Sequence, residues 1–143
     1  MLSLLDAANR HAAKWYVVFC HRENEYWWTR WLKPGFQHVQ AWREYRFGPE
    51  PTDLMWLRVD PFAALTVVEI VFNPTPPWKY DPGFTVLHVR TLREHTKIRE
   101  LFTIGPFTCV EHVKALLGIR SFWLRTPWQL CKFIRKHRYV LVS

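Results

Sequence analysis

A strand, a turn and a return strand are predicted between residues 36 and 60, and this hairpin limits the fold more than any other segment. Residues 36–45 and 54–60 are rich in aromatic and β-branched side chains, which favour extended backbone. Between them, residues 47–52 read Phe-Gly-Pro-Glu-Pro-Thr, a composition typical of turns. The sequence therefore predicts an antiparallel sheet that contains this hairpin.

Side chains along the two strands alternate between an apolar face and a face that also carries polar groups. If Arg46 and Thr52 flank the turn, His38 lies opposite Asp60, and opposed residues share one face with Cβ atoms about 5 Å apart. A slip of one residue would reverse the faces. The expected face of His38 and Asp60 also holds Gln40, Trp42, Trp56 and Arg58, whereas the expected core face holds Val39, Ala41, Met55, Leu57 and Val59.

A helix with both ends encoded is predicted near Cys109. Thr108 and Glu111 have the spacing of a capping box, and Gly118 suits a left-handed C-terminal cap. Cys109 is then the first helical residue, where unpaired amides and the helix dipole favour negative charge and lower a thiol pKa from about 8.5 into the range of roughly 3.5 to 7.5. The alternative is a buried structural cysteine, the commoner state of this residue type.

Together these segments resemble the circularly permuted branch of the papain-like NlpC family, which includes the lecithin-retinol acyltransferase-like proteins. Residues 36–39, Phe-Gln-His-Val, are similar to the family's histidine strand, and residues 108–118 to its nucleophile helix. The strand precedes the helix, as it does in that branch. Residues 35–38, 56–61 and 126–130 also look like small phage-encoded members. The resemblance implies an α+β fold in which an antiparallel sheet packs against the cysteine helix in a permuted papain-like arrangement.

The resemblance implies a cysteine hydrolase, a peptidase or amidase that attacks an amide or ester. Cys109 is the expected nucleophile, His38 the base and Asp60 the residue that orients the imidazole. The backbone amide of Cys109 is the expected oxyanion donor. Gln37 and Gln40 are the candidates for a second donor.

Three further interpretations stay open at this stage. His112, one turn after Cys109, is an alternative base because helical side chains lean toward the N-terminus. The enzyme could instead be an acyltransferase, since both reactions share an acyl-enzyme. A non-catalytic virion or binding component with the same fold is the other alternative. Expected partners are accordingly a peptide, amide or acyl substrate, including peptidoglycan, or virion proteins.

The chain is basic, with 20 Lys and Arg against 12 acidic residues and a net charge of +8. Such a balance favours polyanions, including nucleic acid and anionic envelope polymers, although no nucleic-acid-binding signature is present and a solvated basic face is the alternative. The basic residues near the C-terminus are Lys132, Arg135, Lys136, His137 and Arg138.

Length and composition favour one domain over residues 1–143. The resemblance to phage-encoded members implies a location in the host cytoplasm or a phage virion. The most apolar stretch, 61–72, contains Glu69, so no membrane span is expected, and the N-terminus lacks the basic segment of a signal peptide. Three cysteines without a CxxC pair, and histidines without HExxH spacing, predict no metal site, no disulfide framework and no cofactor.

The other segments complete an α+β pattern. The proline-rich loop 73–83 cannot be a central strand, and its Trp78 and Tyr80 are expected either to contact a ligand or to cover the edge of the core. The further expected elements are a helix at 2–13, a strand at 15–20, a short helix or irregular stretch at 23–32, strands at 65–72 and 84–91, a charged segment at 93–99, a last helix capped by Thr126, and an edge strand at 139–142.

Overall fold

The computed structural model describes residues 13–22, 27–62, 65–73, 75–91 and 108–137. These residues form an α+β structure in which five antiparallel strands make one sheet and two α-helices pack on it. The strands are β1 (Ala13–Cys20), β2 (His38–Arg46), β3 (Leu54–Phe62), β4 (Leu65–Val71) and β5 (Thr85–Thr91); the helices are α1 (Thr108–Leu117) and α2 (Pro127–Lys136); two 3-10 helices span Trp27–Trp31 and Pro77–Tyr80.

Three expected segments lie outside the described residues: the helix at 2–13, apart from residue 13, which begins β1; the charged segment at 93–99; and the edge strand at 139–142. Within the described part of the chain, no helix is long and apolar enough to cross a membrane.

The strands lie in the order β4-β3-β2-β1-β5, so the predicted hairpin, β2 and β3, occupies the middle of the sheet. Its register differs from the prediction by two residues, because Arg46 pairs with Leu54 rather than Thr52. The turn is longer than expected since Asp53 belongs to it and accepts a hydrogen bond from the Glu50 amide at 3.0 Å. A shift of two residues preserves the faces, and the predicted alternation is therefore confirmed while the predicted pairing is wrong.

Each face of the sheet carries a cluster of buried side chains. Val39, Ala41 and Val59 lie on the predicted core face and pack with both helices. On the other face, Trp42 and Trp56 are buried in a second cluster. This second face is therefore partly a core as well, and only the end near His38 and Asp60 is a polar site.

The proline-rich loop covers that second cluster. Trp78 lies 5.2 Å from Tyr16, 5.7 Å from Trp42 and 5.1 Å from Trp56 between ring centroids. Of the two roles considered for Trp78, covering the edge of the core is the one observed. The loop also contains one turn of 3-10 helix, which proline tolerates in its first positions. The side chain of Tyr80 lies outside the described set.

The helix ends follow the sequence signals closely. Gly118 ends α1 with a φ of +69°, the left-handed conformation expected of it. Thr126 and Gln129 form the predicted capping box at the start of α2. Helix α1 begins at Thr108, one residue earlier than predicted, which makes Cys109 its second residue. The Thr108 side chain is not among those described, so its capping role stays a prediction.

Candidate active site

The first residue of β2 and the seventh residue of β3 form a buried hydrogen-bonded pair. His38 Nε2 lies 2.5 Å from Asp60 Oδ1, and the two side chains are only 5% and 6% exposed. The predicted contact between the two side chains is therefore present. When the β2–β3 register is continued toward His38, Asp60 lies opposite Gln40, so its contact with His38 is diagonal. A carboxylate in this position fixes the orientation and the tautomer of an imidazole.

Asp60 is held by further donors. Its Oδ2 accepts hydrogen bonds from Gln40 Nε2 at 3.1 Å and from Arg58 Nη2. Burial by itself raises the pKa of this carboxyl, but the hydrogen bond from His38 and the positive charges of His38, Arg58 and Arg22 together lower the pKa below its ordinary value. Asp60 is therefore ionised at neutral pH.

The pair also assigns the protons of the imidazole. Because the Asp60 carboxylate accepts from Nε2, that nitrogen carries a proton, and Nδ1 is the ring nitrogen that can act as a base. Arg22 Nη1 lies 3.1 Å from Nε2 and 3.5 Å from Nδ1, and 3.8 Å from the Asp60 carboxylate. A guanidinium group thus lies directly against the imidazole.

Cys109 lies where α1 meets β2. The backbone amides of Val39, Val110 and Cys109 itself lie near its sulfur and act to lower the pKa of the thiol. The N-terminus of the cysteine helix therefore meets the histidine strand, as predicted. The predicted lowering of the thiol pKa is wrong, however, because burial raises the Cys109 pKa to about 11 and outweighs the amides. This desolvation depends on tertiary packing and leaves no local signal in the sequence of the helix terminus.

The thiol and the imidazole approach β2 from different sides. Cys109 belongs to the core cluster on the helix side, together with the Val39 side chain. His38 precedes Val39, and its side chain joins the polar network of Gln40 and Asp60 on the other face. The structure therefore brings Cys109 to the backbone beside His38, while the His38 side chain is engaged with Asp60 and Arg22.

The sequence did not place Cys20 and Arg22 beside His38, although both lie there in the structure. Cys20 pairs directly with His38 in the β1–β2 ladder and so shares its face. Burial and, after it, the Asp60 charge raise the Cys20 pKa to about 12. No signal in the sequence showed that β1 lies beside β2, since a ladder between distant segments leaves no local pattern.

The alternative residues named from sequence are engaged elsewhere. His112 Nδ1 lies 2.8 Å from the Thr66 hydroxyl on β4, and burial lowers its pKa despite nearby Glu111. The Gln40 amide donates to Asp60, and its oxygen accepts from the Trp42 indole at 3.1 Å. The Gln40 amide is therefore already engaged and does not serve as an oxyanion donor in this arrangement. The His112 imidazole contacts β4 instead of the Cys109 thiol.

Gln37, the other candidate donor, has a buried side-chain oxygen with no hydrogen-bond partner among the residues described. Over the same residues, no group of three His, Cys, Asp or Glu side chains could hold a metal ion.

Comparisons of the chain with models of protein families, with curated proteins and with solved structures found no match. The resemblance to the permuted NlpC branch therefore stays a prediction.

Proposed function

We propose that the protein is a circularly permuted, papain-like cysteine hydrolase that cleaves an amide or ester bond. One observation supports this proposal most directly. The hydrogen-bonded His38–Asp60 pair lies at the end of the sheet where α1 brings Cys109 to the Val39 amide. A nucleophile, a base and a carboxylate that orients the base are the three groups this chemistry needs.

The raised thiol pKa defines how the nucleophile is activated. Cys109 is a neutral thiol at pH 7, so Nδ1 of His38 takes its proton during the attack rather than before it. The sulfur forms a bond to the carbonyl carbon, and the imidazolium then protonates the leaving group. Water hydrolyses the resulting thioester. Proton transfer needs Nδ1 within about 3 Å of the sulfur, so the proposal requires the imidazole to turn toward Val39 in the substrate complex.

The proposed substrates are peptides and other acyl compounds. Cell-wall peptides of a phage host follow from the family resemblance, and the net charge of +8 favours association with an anionic envelope. An acyltransferase reaction uses the same thioester with an amine or hydroxyl acceptor in place of water. Adding an amine acceptor to the reaction distinguishes these two outcomes.

A non-catalytic binding or virion component is the second candidate function. The observation in its favour is that Cys109 is only 8% exposed and has a pKa of about 11. A buried protonated cysteine is the ordinary state of a structural thiol.

Acylation by p-nitrophenyl acetate, followed by mass-spectrometric site mapping, tests the proposal. We expect a thioester on Cys109 that is absent in Cys109→Ala and forms at least tenfold more slowly in His38→Ala. Cys131→Ala is the matched control, because Cys131 is also buried but lies on α2 in the core. Absence of acylation in the natural sequence, or acylation confined to Cys20 or Cys131, would reject the hydrolase in favour of the binding component.

A further inference from the structure

The loop between the two α-helices, residues 118–126, carries two large apolar side chains that face the solvent. Phe122 is 71% exposed and Trp123 is 81% exposed, which makes Trp123 the most exposed large apolar side chain in the described part of the chain. Their ring centroids lie 5.8 Å apart, so the two rings form one apolar projection. Single exposed apolar residues are common on protein surfaces, but adjacent ones that form a patch indicate an interaction site.

Hydrogen bonds and packing fix both ends of this α1–α2 loop. The buried side chain of Lys114 on α1 donates to the Leu124 carbonyl at 3.1 Å. The Arg125 amide donates to the Gln129 side chain at 3.0 Å. Ile119 and Leu124, on either side of the two rings, pack against the core cluster on the helix side of the sheet. Because the loop is already ordered, placing its rings against a partner costs little further conformational entropy.

Two guanidinium groups flank the rings in the same loop. Arg120 precedes the rings and Arg125 follows them, and both arginines are exposed. The guanidinium carbon of Arg125 lies 4.7 Å from the centroid of the Phe122 ring, within the range of a cation–π contact. The loop therefore presents a surface with two properties, because it is apolar in the rings and positively charged around them.

The positive charge continues from the loop onto α2. The ammonium nitrogens of Lys33 and Lys132 lie 3.2 Å and 5.6 Å from the ring centroid of Trp128, in the first turn of that helix. The exposed cations of α2 are Lys132, Arg135 and Lys136. Residues 112–143 contain seven Lys and Arg and no Asp or Glu, so this part of the sequence supplies no compensating charge. Such a surface is complementary to a polyanion.

An anionic lipid bilayer fits both properties of this surface. Aromatic side chains are favoured at the level of the lipid headgroups, and nearby Lys and Arg side chains are attracted to anionic lipids. Single-stranded nucleic acid also has phosphates and apolar faces, but its successive bases stack on the faces of aromatic rings. The rings of Phe122 and Trp123 are inclined at 82° to each other, and Arg125 lies over the Phe122 ring. They do not offer two parallel platforms for bases, and the ring geometry therefore favours the bilayer.

We infer that the α1–α2 loop docks the protein peripherally on a bilayer that contains anionic phospholipids. Phe122 and Trp123 enter the interface between headgroups and acyl chains, and Arg120 and Arg125 bind the headgroup phosphates. A protein held in this way lies on the membrane surface and needs no membrane-spanning helix. The docking surface shares no residue with the candidate active site and does not depend on the proposed hydrolase activity.

Co-sedimentation with sucrose-loaded vesicles tests the inference, with vesicles of phosphatidylcholine alone and of phosphatidylcholine containing about one third phosphatidylglycerol. We expect binding to the anionic vesicles that Arg120→Gln and Arg125→Gln each weaken by about fivefold. Replacing both rings, Phe122→Ser with Trp123→Ser, should reduce partition into the anionic vesicles by at least about tenfold, because the apolar area that enters the interface is lost.

Phe47 and Phe72 provide the matched control, because they form a second pair of open rings. They are 58% and 72% exposed, and their ring centroids lie 6.3 Å apart. The hairpin turn beside Phe47 carries the carboxylates of Glu50 and Asp53, which an anionic surface repels. Phe47→Ser with Phe72→Ser should therefore change partition by less than about twofold.

Several results would overturn the inference. No binding to anionic vesicles, equal binding to neutral and anionic vesicles, or equal losses in the two serine pairs would each do so, and each leaves the acylation test of Cys109 unaffected. Fluorescence anisotropy with a single-stranded oligothymidine tests the other polyanion. Tighter binding to the oligonucleotide than to anionic vesicles at equal phosphate concentration, lost when both rings are replaced, would make nucleic acid the occupant.

Thermal unfolding checks that the variants fold. If the double replacement of Phe122 and Trp123 does not fold, Trp123→Ser alone decides, because this side chain is 81% exposed. That variant should lower partition into anionic vesicles by at least about threefold, and unchanged partition would overturn the docking role of the loop.

Discussion

Asp60 is the residue on which the other charges of the site depend. It faces two guanidinium groups and one imidazole, and its carboxylate accepts hydrogen bonds on both oxygens. Without this negative charge, Arg22 and Arg58 would repel each other in a half-buried setting. Asp60 therefore contributes to folding as well as to the orientation of His38. Any substitution at this position is expected to change stability as well as activity.

The first prediction concerns stability and pH. Asp60→Asn should lower the free energy of unfolding at pH 7 by about 1–3 kcal/mol, because it leaves buried donors poorly paired. Since the folded pKa of Asp60 is lowered, its contribution is present above the unfolded pKa of about 3.9 and is lost as pH falls through the folded pKa. Urea unfolding from pH 7 to pH 2.5 should show the two proteins converging in acid.

Glu50→Gln, at an exposed position of the hairpin turn, is the control and should change little at any pH. A constant difference between Asp60→Asn and the natural sequence across this pH range would contradict the assignment of an ionised carboxylate.

The second prediction concerns the resting thiol. With a Cys109 pKa of about 11, the alkylation rate by iodoacetamide should rise about tenfold per pH unit between pH 7 and 10, since only the thiolate reacts. This expectation replaces the reactive thiolate at neutral pH that follows from the helix position alone. Mass-spectrometric mapping identifies which cysteine is modified, and a rate plateau below pH 8 at Cys109 would instead demonstrate a thiolate–imidazolium pair.

At the scale of elements, local signals were sufficient for the hairpin faces, the capping box of α2 and the C-terminal cap of α1. The alternation of apolar and polar residues in β2 and β3 predicted which side chains meet the helices, because successive residues of a strand point to opposite faces of the sheet. The pairing was wrong by two residues, since the turn length depends on whether Asp53 joins the turn. The neighbours of His38 were not predictable, because Cys20 meets it through a ladder between segments distant in sequence and Arg22 follows that strand.

The third prediction tests the cap of α2. Thr126 accepts a hydrogen bond from the Gln129 amide at 3.3 Å, and the Gln129 side chain accepts from the Thr126 amide at 3.1 Å. Thr126→Ala should reduce the free energy of unfolding by about 1 kcal/mol, whereas Thr126→Ser keeps the hydroxyl and should cost only a fraction of that. Chemical denaturation measures both, and equal losses would show that the methyl group, not the cap, is responsible.

At the scale of the whole molecule, the edge strand β4 is less covered than the middle of the sheet. The helices pack on β1, β2, β5 and part of β3, whereas β4 lies at one end of the strand order. In the described part of the chain, β4 pairs only with β3. Its apolar side chains remain open, with Val67 47%, Val68 63% and Ile70 55% exposed. An apolar edge strand with an open backbone is a template for pairing with another chain.

The last prediction tests this edge. Val68→Lys adds a charge at the centre of β4, where a second strand would have to bury it, so it should reduce concentration-dependent self-association in sedimentation velocity. Because Val68 is exposed, the free energy of unfolding should change by no more than about 0.5 kcal/mol. Thr52→Lys adds the same charge at the exposed hairpin turn and should leave association unchanged. If both lysine variants reduce association equally, the increase in net charge above +8 is the cause, and the β4 edge is not the contact.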